Sequence, residues 1–213
     1  MTPLDGRLAR GERTRTAVLD AAVSLASASG LDGLSLGHLA DSLGVSKSGL
    51  FAHWRSKEAL QLATIDRAVA QWQERIIGPA LRAPRGVRRI RTLHEARVDF
   101  YAGRVLPGGC FFATTEFEFN ARPGAVRDRL TEVFAAWTAF LERLVAESVE
   151  LGELPAGTDV ALLAYEIDAF GIAAAMRSRL LDPAATYRHA RLAVLGRLRA
   201  LCPDLTLLPE GPS

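Results

Sequence analysis

Apolar residues recur along this chain at intervals of three and four, with polar residues between them. Val18, Ala21, Ala22 and Leu25 stand at i, i+3, i+4 and i+7, the stripe of an amphipathic helix. The pattern runs from about Arg13 to Ser29 and stops at Gly30, where glycine tolerates the left-handed turn beyond a helix end. Leu36, Leu39, Ala40 and Leu43 repeat the spacing between Ser35, a good N-cap, and Gly44. A short helix follows over about Ser46 to Trp54. Ser56 then caps a fourth, with Glu58 in its first turn and Gly78-Pro79 expected to break it.

Five longer helices are predicted beyond that break. They cover about Gly86 to Arg104, Cys110 to Asn120, Pro123-Gly124 to Leu151, a stretch capped by Thr158 or Asp159, and a last one ending at Leu201 before Pro203. No stretch shows sustained period-2 alternation between turn residues; Phe117-Glu118-Phe119 alternates but is too short for a strand. The fold class is therefore all-α, about nine helices. The expected division is a helical module over residues 1–55, a larger bundle over 56–205 and a loose tail over 206–213.

Composition narrows the picture. Hydrophobic residues make up 49% and charged residues 23% of the 213 residues, the balance of an ordinary globular chain with room for a sizeable core. No apolar run approaches the roughly 20 residues that span a bilayer. The first residues, MTPLDGRLARGERTR, hold no apolar signal core. The cytoplasm is the expected location. Two cysteines, Cys110 and Cys202, are too few for a disulfide framework. Cys110, after Pro107-Gly108-Gly109, reads either as a thiol activated at a helix N-terminus or as a small packing residue. A net charge of +2 makes no case by itself for nucleic acid. The basic side chains are almost all arginine, and the only lysines are Lys47 and Lys57.

Both lysines fall in Leu34 to Leu60, LSLGHLADSLGVSKSGLFAHWRSKEAL. Ala40 is small where two helices must cross closely. Gly44 follows at +4, Val45 at +5 and Leu50 at +10. That is helix-turn-helix spacing, which leaves the second helix free to enter a major groove. The run Gly44-Val45-Ser46-Lys47-Ser48-Gly49-Leu50-Phe51-Ala52-His53-Trp54, followed by Ser56-Lys57-Glu58-Ala59-Leu60, resembles the signature of the TetR family of bacterial repressors. The upstream RTAVLDAAVSLASASGLDGLSL resembles that family's first helix and its link to the second. The resemblance covers about the first third of the chain.

It implies that Ser46, Lys47, Ser48 and His53 face DNA, and that Lys57 and the helix N-terminus at Ser35 meet phosphates. Phe51 stands where the family usually carries tyrosine and Ala52 where it carries an aromatic residue or histidine, so a different set of contacts is expected there. The arm Arg7, Arg10, Arg13 and Arg15 reads as a solvated tail or as a minor-groove contact.

The resemblance further implies a palindromic DNA operator, a small-molecule effector and a homodimer built from the last two helices, which carry Ala164, Ala169, Gly171, Ala173, Ala174, Ala175, Ala190 and Ala193 with Leu162, Ile172, Leu195 and Leu198. Candidate effector-binding residues are Trp72, Phe100, Tyr101, Phe111, Phe112, Phe117, Trp137, Phe140, Tyr165 and Phe170. Each taken alone reads first as ordinary core, but as a set they suit a largely apolar ligand. His94, Arg97 and Glu116 are candidate polar anchors.

Enzymatic motifs are missing from the sequence: no zinc-protease pair, phosphate-binding glycine loop, dinucleotide fingerprint or nucleophile elbow. His38, His53, His94 and His189 lack metal-ligand spacing. No cofactor, metal or catalytic residue is expected. An enzyme with an unrecognised site, a non-specific DNA binder and a transcriptional activator remain as rival readings; the near-neutral charge speaks against the second, and the sequence does not choose between activation and repression.

Overall fold

A computed structural model describes the backbone of residues 3–211 and the side chains of 13–211, apart from those of 49, 51 and 52. All regular structure among the described residues is helical. The α-helices are α1 (Pro3–Ser29), α2 (Leu36–Leu43), α3 (Lys47–His53), α4 (Lys57–Trp72), α5 (Gly78–Arg82), α6 (Val87–Ala102), α7 (Phe111–Phe119), α8 (Ala125–Glu150), α9 (Val160–Arg177) and α10 (Pro183–Leu201). A π-helical turn, Gln73–Ile77, lies between α4 and α5, and a 3-10 turn, Leu205–Leu207, follows α10.

The chain divides into two compact units. The first is Met1–Ala70 with Leu106–Thr131, and the second is Gln71–Val105 with Glu132–Ser213. Residues far along the sequence thus belong with the helix-turn-helix. Helix α7 packs on α1. Gly108 donates its backbone N–H to Ser27 Oγ at 3.1 Å, and Thr114 Oγ1 donates to the Ser27 carbonyl at 3.2 Å. A Cβ at Gly108 would overlap that carbonyl, so only glycine permits the approach.

This cover rotates the buried face of α1. The stripe expected at Val18, Ala21, Ala22 and Leu25 is buried instead at Val18, Leu19, Ala22, Val23 and Ala26, with Ala21 and Leu25 only half-buried. Two neighbours, α2 and α7, pack against α1, and local periodicity cannot report where the second one lies. Helix α1 also starts ahead of the expected Arg13, at Pro3. In α2, Leu36, Leu39 and Ala40 are buried as expected, whereas Leu43 is half-buried.

The second unit departs from expectation at Gly78-Pro79. The helical path does not break there. The Gly78 N–H reaches back to the Gln73 carbonyl, an i to i−5 bond, and the chain enters α5 with Pro79 in its first turn. Proline lacks an N–H and its ring crowds the carbonyl four residues earlier; the wider π turn relieves that crowding. Within this unit α6 packs against both α9 and α10, and α9 against α10. Asp159, one of the two residues expected to cap α9, does so by accepting from the Leu162 N–H at 2.9 Å.

The segment after Pro203, which includes the tail over 206–213 expected to be loose, is held in place through residue 211. Leu208 is fully buried. Arg91 donates to the carbonyls of Pro209, at 2.7 Å, and Gly211, and Arg199 donates to the Leu208 carbonyl. Both arginines sit on other helices, so local sequence gives no sign of this latch.

Candidate nucleic-acid interface

The turn between α2 and α3 follows from its residues. Gly44 adopts the left-handed conformation at φ 63°. Its N–H and that of Val45 satisfy carbonyls at the end of α2, the pattern that stops a helix without exposing bare acceptors. Ala40 and Leu50 are buried at the crossing. Val45 departs from the packing its spacing suggests and stays 41% exposed.

One polar surface results. Ser46, Lys47, Ser48 and His53 are all exposed on or beside α3. Ser48 Oγ lies 3.4 Å from Ser46 Oγ. The Lys47 side chain is 59% exposed, with Asp41 at 3.9 Å as a distant counter-ion, a pairing too loose to hold it. The His53 ring tilts against Trp54, 5.5 Å between centroids, while Trp54 itself is buried. The Phe51 side chain, and those of Arg7 and Arg10 in the basic arm, lie outside the described residues. Arg15 stacks on Trp54, its guanidinium carbon 5.5 Å from the ring. A role for Arg15 as a free-swinging arm is thereby reduced, because the cation is spent on an aromatic face.

Two helix N-termini flank this surface. Ser35 caps α2 in an extended conformation and accepts the His38 N–H at 3.1 Å. Ser56 accepts the Ala59 N–H at 3.0 Å at the start of α4. Lys57 follows, with Nζ 2.8 Å from Asp32 Oδ1. A feature that sequence reasoning missed supports this corner. Glu118 of α7 accepts the backbone N–H groups of Leu31 at 2.7 Å and Asp32 at 2.8 Å, fixing the link between α1 and α2 from a position over eighty residues away. The Phe117-Glu118-Phe119 alternation marks this place in the sequence but not its partner.

The candidate effector residues are split between the two units. In the first, Phe111 and Phe112 are buried, 5.2 Å between ring centroids, and Phe117 is 77% exposed. Cys110 is buried and caps α7, its Sγ 3.5 Å from the Ala113 N–H, which fits the packing reading of this thiol. In the second unit Trp72, Phe100, Tyr101 and Trp137 are buried and Phe140 and Phe170 half-buried, but Tyr165 is 72% exposed. Phe117 and Tyr165 therefore line no interior of the single chain. Trp72 and Trp137 meet edge-on at 4.9 Å, with Phe140 beyond at 6.0 Å from Trp137.

Arg97 lies over both tryptophans, 5.4 Å from each ring, and donates to Asp168 Oδ1 at 2.7 Å and Tyr101 Oη at 2.8 Å. Trp137 Nε1 donates to the same Asp168 oxygen at 2.8 Å. One turn back, His94 is buried with Nε2 3.0 Å from the Ala190 carbonyl. Burial above all, and then the charge of Arg97, push its pKa down to about 4. The neutral ring donates through Nε2, and Nδ1 is a buried acceptor without a hydrogen-bond partner. Among the described residues no group of His, Cys, Asp and Glu is arranged to hold a metal ion, and no helix is long and apolar enough to cross a membrane.

A short helix presenting serine, lysine and histidine to solvent, set by a left-handed glycine against a capped neighbour, defines a helix-turn-helix DNA-binding regulator. Comparison with known proteins agrees. Residues 18–64 match the family model described as bacterial regulatory proteins, tetR family, and residues 86–194 match the tetracyclin repressor-like C-terminal domain. The chain belongs to the TetR family of transcriptional regulators. No curated protein matches the sequence.

Solved structures do match. A TetR transcriptional regulator from Chloroflexus aurantiacus superposes with a TM-score of 0.82 at 26% identity, covering 91% of this chain and 98% of that one. A TetR-family regulator from Cytophaga hutchinsonii gives 0.80 at 18% identity, covering 92% and 98%. The regulator AibR, solved with isovaleryl coenzyme A and operator DNA, gives 0.65 at 18% identity, covering 88% and 97%. The last two likenesses speak for the fold alone.

Proposed function

We propose that this chain is a repressor that binds a palindromic operator as a homodimer and is released by a small, largely apolar ligand. The exposed polar side of α3 carries the reading: Ser46, Lys47, Ser48 and His53 are exposed on or beside a helix anchored by the buried Leu50. Lys47, His53 and the serines reach base edges and phosphates, the Ser35 and Lys57 helix ends make backbone contacts, and Phe51 meets the duplex without a hydrogen bond to phosphate. DNA reading belongs to residues 1–55 and ligand binding and dimerisation to 56–205.

The dimer surface is the outer face of α9 and α10. Leu162, Tyr165 and Met176 are exposed on α9 and Leu192 on α10. The α9 residues fall on one face, and apolar area of this kind marks an association surface. Pairing two copies sets the recognition helices about 34–36 Å apart, one DNA turn. The ligand binds in the second unit among Trp72, Tyr101, Trp137 and Phe140, with Arg97 and His94 as polar anchors. AibR, a protein of this fold solved with both an acyl coenzyme A and its operator, supports a shared architecture for the two kinds of binding. The ligand lowers DNA affinity by its preference for the conformation that binds DNA less well.

The test is fluorescence anisotropy of the full chain on the DNA flanking its own gene, with excess unrelated duplex present. Saturable binding that survives the competitor and weakens about tenfold or more in Lys47→Ala is the expected result, since a lost base or phosphate contact costs roughly 1–3 kcal/mol. Binding that the competitor abolishes would leave only a non-specific binder. An operator lying upstream of the promoter rather than across it would favour an activator.

A further inference from the structure

One carboxylate in the first unit is shared by two cations from distant parts of the chain. Asp32 lies in the link between α1 and α2. Its Oδ1 accepts from Lys57 Nζ at 2.8 Å, and its Oδ2 accepts from Arg122 Nη1 at 2.8 Å. Lys57 begins α4, and Arg122 follows α7 with its guanidinium 5.7 Å from the Phe119 ring. The three side chains are each about half exposed, at 48%, 49% and 53%. The backbone of Asp32 is pinned by Glu118, the second anion of the cluster, so the two cations converge on a fixed point. Hydrogen bonding from Lys57 first, and then from Arg122, holds the Asp32 carboxyl below its ordinary range.

A single negative charge with one oxygen turned to each of two cations is also the chemistry of a DNA phosphodiester. Ion pairs with half-exposed partners are worth little in water. A phosphate that takes the cations releases condensed counterions from the duplex, which drives the exchange. We propose that Lys57 and Arg122 together form a two-cation site for one backbone phosphodiester, and that the Asp32 carboxylate occupies that site, in competition with DNA, when no duplex is bound. This rests on the DNA-binding reading with Lys57 at a phosphate; it adds Arg122 as a contact and Asp32 as its internal competitor. The site uses a residue of the α7 end of the chain, so DNA affinity is set partly from outside the helix-turn-helix.

The test is a salt titration of the full-length protein, from about 50 to 200 mM, on two duplexes: the DNA flanking its own gene and an unrelated sequence. Phosphate contacts are blind to sequence, so the effects appear on both. Asp32→Asn is expected to bind about threefold to fivefold tighter at the low-salt end, with a slope of log K against log salt close to wild type because the same phosphate is neutralised in both complexes. Arg122→Ala is expected to bind more weakly with a slope shallower by about one, and Arg122→Lys to recover most of that slope. A structural role for Asp32 predicts the opposite sign, weaker binding in Asp32→Asn. Binding by Asp32→Asn that is unchanged or weaker, or a slope in Arg122→Ala equal to wild type, would overturn the proposal. Equal affinity of wild type for both duplexes would instead defeat the specific-operator reading and leave this site standing. No binding to either duplex would defeat both.

Discussion

The surface around α3 and α4 in the first unit and the buried face of α6 in the second treat charge in opposite ways. In the first, Lys47, Lys57, Arg122 and Asp32 are about half exposed or more, and their pairings are surface contacts. In the second, Arg91, His94 and Arg97 recur every third residue on one face of α6, and all three are buried. Exposed pairs exchange partners cheaply, as binding to a polyanion requires. Buried polar groups are committed to fixed acceptors: Pro209 and Gly211 for Arg91, Ala190 for the neutral His94, Asp168 and Tyr101 for Arg97. Taking such groups out of water is costly unless geometry is kept. The first surface is thus suited to exchange its ionic partners, and the buried face of α6 to keep the ones it has.

The sharpest way to break this contrast is at Asp168. Its removal in Asp168→Ala takes a 2.7 Å carboxylate contact from Arg97, only 5% exposed, and the acceptor from Trp137 Nε1. A loss of about 3 kcal/mol in denaturant unfolding is expected. A loss within experimental error would mean that water reaches Arg97 and that the second unit is no more committed than the first.

His94 offers a pH-dependent version. Its folded pKa of about 4 lies below the ordinary 6.5. Between those values the unfolded chain binds a proton that the folded chain refuses. Its contribution is therefore complete above pH 6.5, declines as pH falls through the window, and changes no further below about pH 4. The total is roughly 3 kcal/mol. Unfolding midpoints followed across that range should fall in wild type and flatten in His94→Leu. Equal slopes in the two proteins would show that the ring is hydrated in solution.

The smallest effect is expected in the first unit. Glu118→Ala strips an acceptor from the amides of Leu31 and Asp32, at a cost of about 1–2 kcal/mol given their partial exposure. Glu118→Gln, which keeps one carbonyl oxygen, should return part of it. Calorimetry that finds Glu118→Ala as damaging as Asp168→Ala would place a committed charge in the first unit too and erase the contrast.

Much of this protein was decided locally. The helix-turn-helix is legible because its constraints lie within a few residues: Ser35 must accept an amide three residues on, Gly44 must turn left-handed, and Ala40 must be small. The same holds for the Asp159 cap, for the end of α10 at Leu201, and for the lysines set apart in an arginine-rich chain. Tertiary structure alone decided the rest. It rotated the buried face of α1 under α7, carried the helix through Pro79 by a π turn, and latched the segment after Pro203 with Arg91 and Arg199. It also left Phe117 and Tyr165 in solvent while stacking Trp72 and Trp137 around Arg97. The physical reason is range. Capping, turn conformation and helical periodicity are set by neighbours along the chain, whereas the partner of a buried face or a buried charge comes from wherever the fold brings another segment, as Glu118 comes to Leu31 and Arg122 to Asp32.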